Sequence, residues 1–220
     1  MKNQTFYTTK NPCTELSLTG LITTPHDFDP AKESLPMIVF LHGSGERGND
    51  PEKVKAHGIP KLFGADCEYQ GLRCITVSPQ CPEGIVWNHL NLQIKHYIDE
   101  VAKAYNADMD RISITGISMG GYGTWDMMIS YPDFFSCAAP ICGGGIPWMT
   151  YTLRGKKLWV FHGLDDNSVD FSCSVAMVEA ARRNGAEIDF TAYDHVGHSS
   201  WVKAYEETEL ISWLLSQKRG

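Results

Sequence analysis

The sequence predicts an α/β fold: a mostly parallel central sheet with helices on both faces. Three observations lead there. Strand-like and helix-like periodicities alternate along the chain, the order that builds crossover connections and therefore parallel strands. Met37–Leu41 is a short continuous apolar run, as suits a strand covered on both faces, and Cys74–Ser78 reads as another buried strand. Finally, Arg111–Gly123 reads as an alternating strand that runs through Gly116-Ile117-Ser118-Met119-Gly120 into a helix, a sharp turn that holds Ser118 out as a nucleophile.

The elements follow in order. Leu16–Thr23 alternates and is expected to form an antiparallel edge strand. A polar loop with three prolines, 25–36, leads to the Met37–Leu41 strand, which stops at the glycine-rich turn His42-Gly43-Ser44-Gly45-Glu46-Arg47-Gly48. After the Cys74–Ser78 strand, Leu90, Ile94, Tyr97, Ile98, Val101 and Tyr105 recur at helical spacing. The helix after Ser118 should end near Tyr131-Pro132, where the proline cannot continue it. Cys137–Ile141 and Leu158–Phe161 are two further buried strands, and Ser172–Asn184 is a helix closed by Gly185. Ile188–Tyr193 is the last strand, and Trp201–Leu215 a final amphipathic helix. With no repeat, linker or low-complexity segment in 220 residues, one domain over 1–220 is expected.

Composition narrows the function. A net charge of −7 without a basic run argues against nucleic acid and anionic membranes as partners. The first residues carry no apolar signal-like run and no stretch is long enough to span a membrane, so a cytoplasmic protein is expected. The seven cysteines form no Cys-x-x-Cys and lack zinc-site spacing; reduced thiols are expected, with Cys67–Cys74 or Cys74–Cys81 as the possible bridges. His195-x-x-His198 with Asp194 could in principle hold zinc but lacks the glutamate of helical zinc-protease pairs, so no metal and no cofactor is expected.

A nucleophilic serine needs a base to take its proton and an acid to orient that base. Both should lie on loops after later strands, at the strand C-terminal ends. The Leu158–Phe161 strand is followed by His162-Gly163-Leu164-Asp165-Asp166, and the Ile188–Tyr193 strand by Asp194-His195-Val196-Gly197-His198. The base is read as His198 in preference to His195, because Gly197 permits a tight turn and the final helix follows; the acid is Asp165 or Asp166. The oxyanion hole calls for two backbone N–H groups, one from Met119 and one from the glycine-rich turn, for which Ser44 is chosen. His42 reads as a structural histidine of that turn.

At these residues the chain resembles the α/β-hydrolases, in particular compact bacterial serine esterases related to carboxylesterase/phospholipases and dienelactone hydrolases and often labelled predicted peptidase or esterase. The similar stretches are Ile38–Gly48, Ser78–Pro82, Asp110–Gly121, Pro140–Gly145, Phe161-His162-Gly163 with Asp166, and Gly197-His198 before Trp201. The resemblance implies an α/β-hydrolase fold and the roles of nucleophile, acid and base for Ser118, Asp166 and His198; dienelactone hydrolases proper use cysteine where Ser118 stands. It favours Asp166 over Asp165, which would then brace the turn. Lids in this fold are commonly inserted after the Cys137–Ile141 strand, and 143–156 leaves room only for a turn and a short helix, so a minimal lid or none is expected. Trp87, Trp148 and Trp201 fall on loops near the expected site and could wall a substrate, with plain packing as the competing reading. Glu46 and Arg47 could bind a polar substrate group or form an ion pair.

The function that follows is a serine carboxylesterase for small to medium soluble esters, with acetyl or hydroxycinnamoyl esters of carbohydrates suggested by the resemblance alone. Its partner would be a small-molecule ester; the oligomeric state is open. A serine peptidase on the same machinery and a non-catalytic binding protein of this fold are the competing classes.

Overall fold

A computed structural model describes residues 4–10, 16–64 and 69–219. Eight strands form one sheet: β1 (Gln4–Lys10), β2 (Ser17–Thr23), β3 (Leu35–Leu41), β4 (Ile75–Pro79), β5 (Ala107–Ile117), β6 (Cys137–Ile141), β7 (Lys157–Gly163) and β8 (Glu187–Tyr193). Their order is β1-β2-β4-β3-β5-β6-β7-β8. The pairs β1/β2 and β2/β4 are antiparallel, and every other pair is parallel.

Six α-helices cover the sheet among the described residues: α1 (Gly58–Phe63), α2 (Asn91–Ala104), α3 (Met119–Ser130), α4 (Phe171–Arg183), α5 (Trp201–Glu206) and α6 (Leu210–Ser216). Because successive strand side chains point to opposite faces, β3 feeds two cores at once. Met37, Val39 and Leu41 join the apolar side chains of α2, α3 and α4, including Tyr97, Trp125 and Met177. Ile38 and Phe40 join those of α1, α5 and α6, including Ile59, Tyr205 and Leu214. β3 is buried along its whole length, which explains its unbroken apolar sequence.

Three expectations change. β2 is not an edge strand: it pairs β1 on one side and β4 on the other, and β1 forms the edge. β1 carries Gln4, Thr5, Thr8 and Thr9 and is exposed along much of its length, so it lacks an apolar signal. The C-terminal helix is two helices, α5 and α6. Thr208 ends the first by donating from Oγ1 to Ala204 O (2.6 Å) and starts the second by accepting from the Leu210 N–H (3.1 Å). Cys74 and Cys81 are both free, so neither proposed bridge forms; Cys67 lies outside the described residues. Between β6 and β7, residues 147–153 form a 3-10 run that packs mainly on α3 and α4. Among the described residues no helix is long and apolar enough to cross a membrane.

Candidate active site

The turn from β5 into α3 is possible only because two residues lack side chains. A Cβ on Gly116 would collide with the backbone of Gly120, and one on Gly120 with the Leu41 carbonyl. Ser118, between them, has φ 54° and ψ −117°, a conformation that costs on the order of 1–3 kcal/mol for a residue with a side chain. It is held by its N–H, which donates to Ile141 O (3.0 Å), and by its carbonyl, which accepts from the Tyr122 N–H (3.1 Å).

The loop after β7 carries Asp166 and the loop after β8 carries His198. The two loops interlock: the Asp165 N–H donates to Val196 O (3.0 Å), and Gly163 leaves no room for a Cβ beneath Val196 and Gly197. Asp166 Oδ1 accepts from the Ser168 and Val169 N–H groups (2.8 and 3.0 Å). Its Oδ2 accepts from His198 Nδ1 (2.7 Å), and His198 Nε2 lies 2.8 Å from Ser118 Oγ. Burial alone would raise the Asp166 pKa, but the His198 hydrogen bond and those backbone donors outweigh it, and the carboxyl sits below its ordinary 3.8. An ionised Asp166 accepts the Nδ1 proton, which leaves His198 Nε2 free to accept from the Ser118 hydroxyl.

His195 stands apart. It has φ 55°, its side chain is 87% exposed, and its charged neighbours are Asp194 and Asp165 at 3.5 and 3.8 Å. Of the alternatives open in the sequence, Asp166 and His198 are therefore the ones gathered at Ser118. His162 joins them from β7: fully buried, it donates from Nε2 toward Asp166 Oδ2 (3.1 Å) and Val169 O (3.0 Å), while Nδ1 lies 2.8 Å from Ser174 Oγ.

The oxyanion candidates share one property. Met119 is the first residue of α3 and Ser44 the first of a 3-10 turn, Ser44–Glu46, so neither N–H has an acceptor within its own helix. Gly43 brings the turn against Ser118: a methyl group on Gly43 would stand 3.8 Å from Ser118 Cβ. Arg47 donates to Ser44 O (3.0 Å) and Ile85 O (3.3 Å), bracing the turn instead of pairing with Glu46. His42 is buried, donates from Nδ1 to Gly43 O (2.6 Å) and accepts at Nε2 from the Cys81 N–H (2.9 Å). Burial pushes its pKa down to about 4, so it is a neutral strut.

The tryptophans divide. Trp87 is 0% exposed; its indole donates to His42 O (2.9 Å) and packs on Gly123, so it supports the glycine-rich turn from within and cannot wall a substrate. Trp148 is 72% exposed on the 3-10 run over α3 and α4. Trp201, by contrast, stands edge-on to the His198 ring at 5.4 Å and lies 5.6 Å from His57. Glu46 is 8% exposed, with its carboxylate near His42 Nδ1 and His57 Nε2.

Cys142, Asp166 and His198 place potential ligand atoms within 4.8 Å of one another. Burial pushes the Cys142 thiol up to about 12, so at neutral pH it rests as the neutral thiol. Both His198 nitrogens are already engaged. The donor set does not fit a metal.

No family model matches the chain. Among characterised proteins, poly(3-hydroxyalkanoate) depolymerase C of Paucimonas lemoignei is 42% identical over 53 residues, 24% of this chain and 13% of that protein. Dipeptidyl peptidase family member 1 of Caenorhabditis elegans is 24% identical over 206 residues, covering 76% of this chain and 25% of its own. A bifunctional acetylxylan esterase/xylanase of Neocallimastix patriciarum is 24% identical over 141 residues, 62% and 20% of the two chains. The chain thus spans a quarter or less of these relatives. Among solved structures, a thermostable esterase superposes with TM-score 0.84 at 32% identity, over 99% of this chain and 64% of that one. A feruloyl esterase module of Clostridium thermocellum complexed with sinapinate gives 0.75 at 14% identity, over 97% and 88%. An acylaminoacyl peptidase of Pyrococcus horikoshii gives 0.73 at 16% identity, over 98% and 42%. The last two likenesses are likenesses of fold.

Proposed function

We propose, from its α/β-hydrolase fold and its likeness to a thermostable esterase, that the chain is a serine esterase for small to medium soluble carboxylic esters. The observation that carries the reading is the unbroken hydrogen-bonded line from Asp166 through His198 to Ser118, at 2.7 and 2.8 Å, ending on a serine held at positive φ. His198 takes the Ser118 proton as Oγ attacks the ester carbonyl. Asp166 keeps the imidazole in the tautomer that can do so and stabilises the imidazolium. The Met119 and Ser44 N–H groups receive the oxyanion. His198 then gives its proton to the leaving alkoxide; in the second half it takes a proton from water as the water oxygen attacks the acyl carbonyl, and returns that proton to Ser118 Oγ as the acyl–oxygen bond breaks and the acid leaves.

Ester rather than amide is favoured by the identities: the thermostable esterase is 32% identical over 99% of this chain, the nematode peptidase 24% over 76% of it. A serine peptidase remains the second reading because that peptidase alignment runs through 206 residues. Acetyl and hydroxycinnamoyl groups are the acyl halves to try first, after the acetylxylan and feruloyl esterases among the relatives. A panel of 4-nitrophenyl and hydroxycinnamoyl esters run against aminoacyl 4-nitroanilides separates the readings. Faster ester turnover is expected; faster, selective anilide cleavage would make the protein a peptidase.

A further inference from the structure

Glu46 is a carboxylate in an unusual position. It is almost buried, yet among the described residues no hydrogen bond reaches its carboxylate oxygens. Its nearest nitrogens are His42 Nδ1 at 3.9 Å and His57 Nε2 at 3.8 Å, both beyond hydrogen-bond length. His42 cannot turn to it, because its Nδ1–H is committed to Gly43 O at 2.6 Å. Its side chain keeps a narrow opening to solvent, at 11% exposure, so a donor from outside the fold can reach the carboxylate.

That position borders the reacting centre. A methyl group on Gly43 would stand 3.3 Å from Glu46 Oε2 and 3.8 Å from Ser118 Cβ, so the carboxylate and the serine side chain both pack beside Gly43. From Glu46 the wall continues through His57 to Trp201, and from Trp201 to His198. His198 is the group that protonates the departing alkoxide, so this arc adjoins the alcohol half of an ester.

We infer that the Glu46 carboxylate and the His57 imidazole bracket a subsite for a hydroxyl of the alcohol half, so that the enzyme prefers esters of polyhydroxylated alcohols to esters of plain alkanols. The 3.8 Å gap between Glu46 Oε1 and His57 Nε2 is too long for a direct bond but admits one oxygen at hydrogen-bond distance from both. A hydroxyl suits that place because it donates to the carboxylate while accepting from an imidazole N–H. The Trp201 indole beside His57 offers the C–H face of a polyol an apolar surface. His57 is 42% exposed at the side chain, which leaves the arc open to an entering substrate.

The inference rests on the esterase reading, and its test keeps the two apart. The measurement is the kcat/KM ratio of 2,3-dihydroxypropyl acetate to its isostere 2-methylbutyl acetate, in the full chain, in Glu46→Gln and in His57→Phe. The ratio should fall about fivefold in each variant, the order of one net hydrogen bond. His57→Phe, at a half-exposed position, keeps a ring against Trp201 and serves if Glu46→Gln misfolds. An unchanged ratio in the folded variants overturns the subsite while leaving the esterase intact. Failure of the unaltered chain to hydrolyse either acetate or 4-nitrophenyl acetate overturns both.

Discussion

Asp166 Oδ2 receives two histidines at once, His198 Nδ1 at 2.7 Å and His162 Nε2 at 3.1 Å. The first leads toward Ser118; the second reaches the opposite way, into the core through Ser174, whose hydroxyl lies 2.8 Å from Gly143 O. The carboxylate is thus held from both sides as well as by two backbone N–H groups on Oδ1. Such fixing holds the His198 ring in one orientation toward Ser118.

His162→Ala removes that inner support, opens a cavity and leaves Ser174 and Val169 O short of a partner. A loss of about 2–4 kcal/mol is expected in urea unfolding. In the folded variant kcat on 4-nitrophenyl acetate should fall while KM changes little, since His162 acts through Asp166. An unchanged kcat would show that the inner histidine positions nothing.

Asp166 links the site to pH. Its folded pKa lies below 3.8, so its contribution to stability is fully present above about pH 4 and is lost as pH falls through the folded value. The gap in melting temperature between the unaltered protein and Asp166→Asn should be flat from about pH 7 to 5 and narrow below about 4. A gap that widens in acid would mean that the carboxyl is not held ionised. The same substitution should cut kcat by about 10³–10⁴, because it removes the acceptor that orients His198.

Gly120→Ala tests the turn around Ser118. The added methyl runs into the Leu41 carbonyl, at a β-strand end that has no freedom to retreat. Loss of several kcal/mol or failure to fold is expected by thermal melting. A variant with unchanged melting temperature and activity would mean that the turn is looser than described.

Much of this arrangement is legible in the sequence because the strands are. β3 and β6 are buried along their whole length and apolar throughout, and the apolar runs of β5 and β7 end just before the turns that carry Ser118 and Asp166, so those strand ends follow from local pattern. β1 is not legible, since an edge strand of threonines and glutamine has little to bury. Nor is the break at Thr208, where a side-chain cap interrupts an otherwise continuous amphipathic pattern. Around the site, what escapes the sequence is long-range packing. His57 meets Trp201 only because α1 and α5 lie side by side, and His162 becomes a partner of Asp166 only once β7 ends beneath that loop. The signal for Trp87 points the wrong way: an aromatic near the sheet rim suggests a substrate wall, but Gly123 opens a socket that draws it inside.

Trp87→Phe follows from that correction. It keeps the ring in the socket and removes the donor to His42 O, so about 1–2 kcal/mol of stability should be lost. Trp87→Ala should lose about 3–5 kcal/mol by the same unfolding assay. Losses below about 0.5 kcal/mol for both would mean that the indole does not support the glycine-rich turn.

If His198 and Asp166 activate Ser118, its hydroxyl should react covalently with an electrophilic phosphorus. The most direct measurement is intact-mass and peptide mapping of the protein after exposure to a fluorophosphonate, beside Ser118→Ala and His198→Ala. One adduct is expected, on Ser118, absent from Ser118→Ala and formed far more slowly in His198→Ala. A protein that stays unlabelled, or a Ser118→Ala variant that labels as fast as the unaltered chain, would contradict that activation.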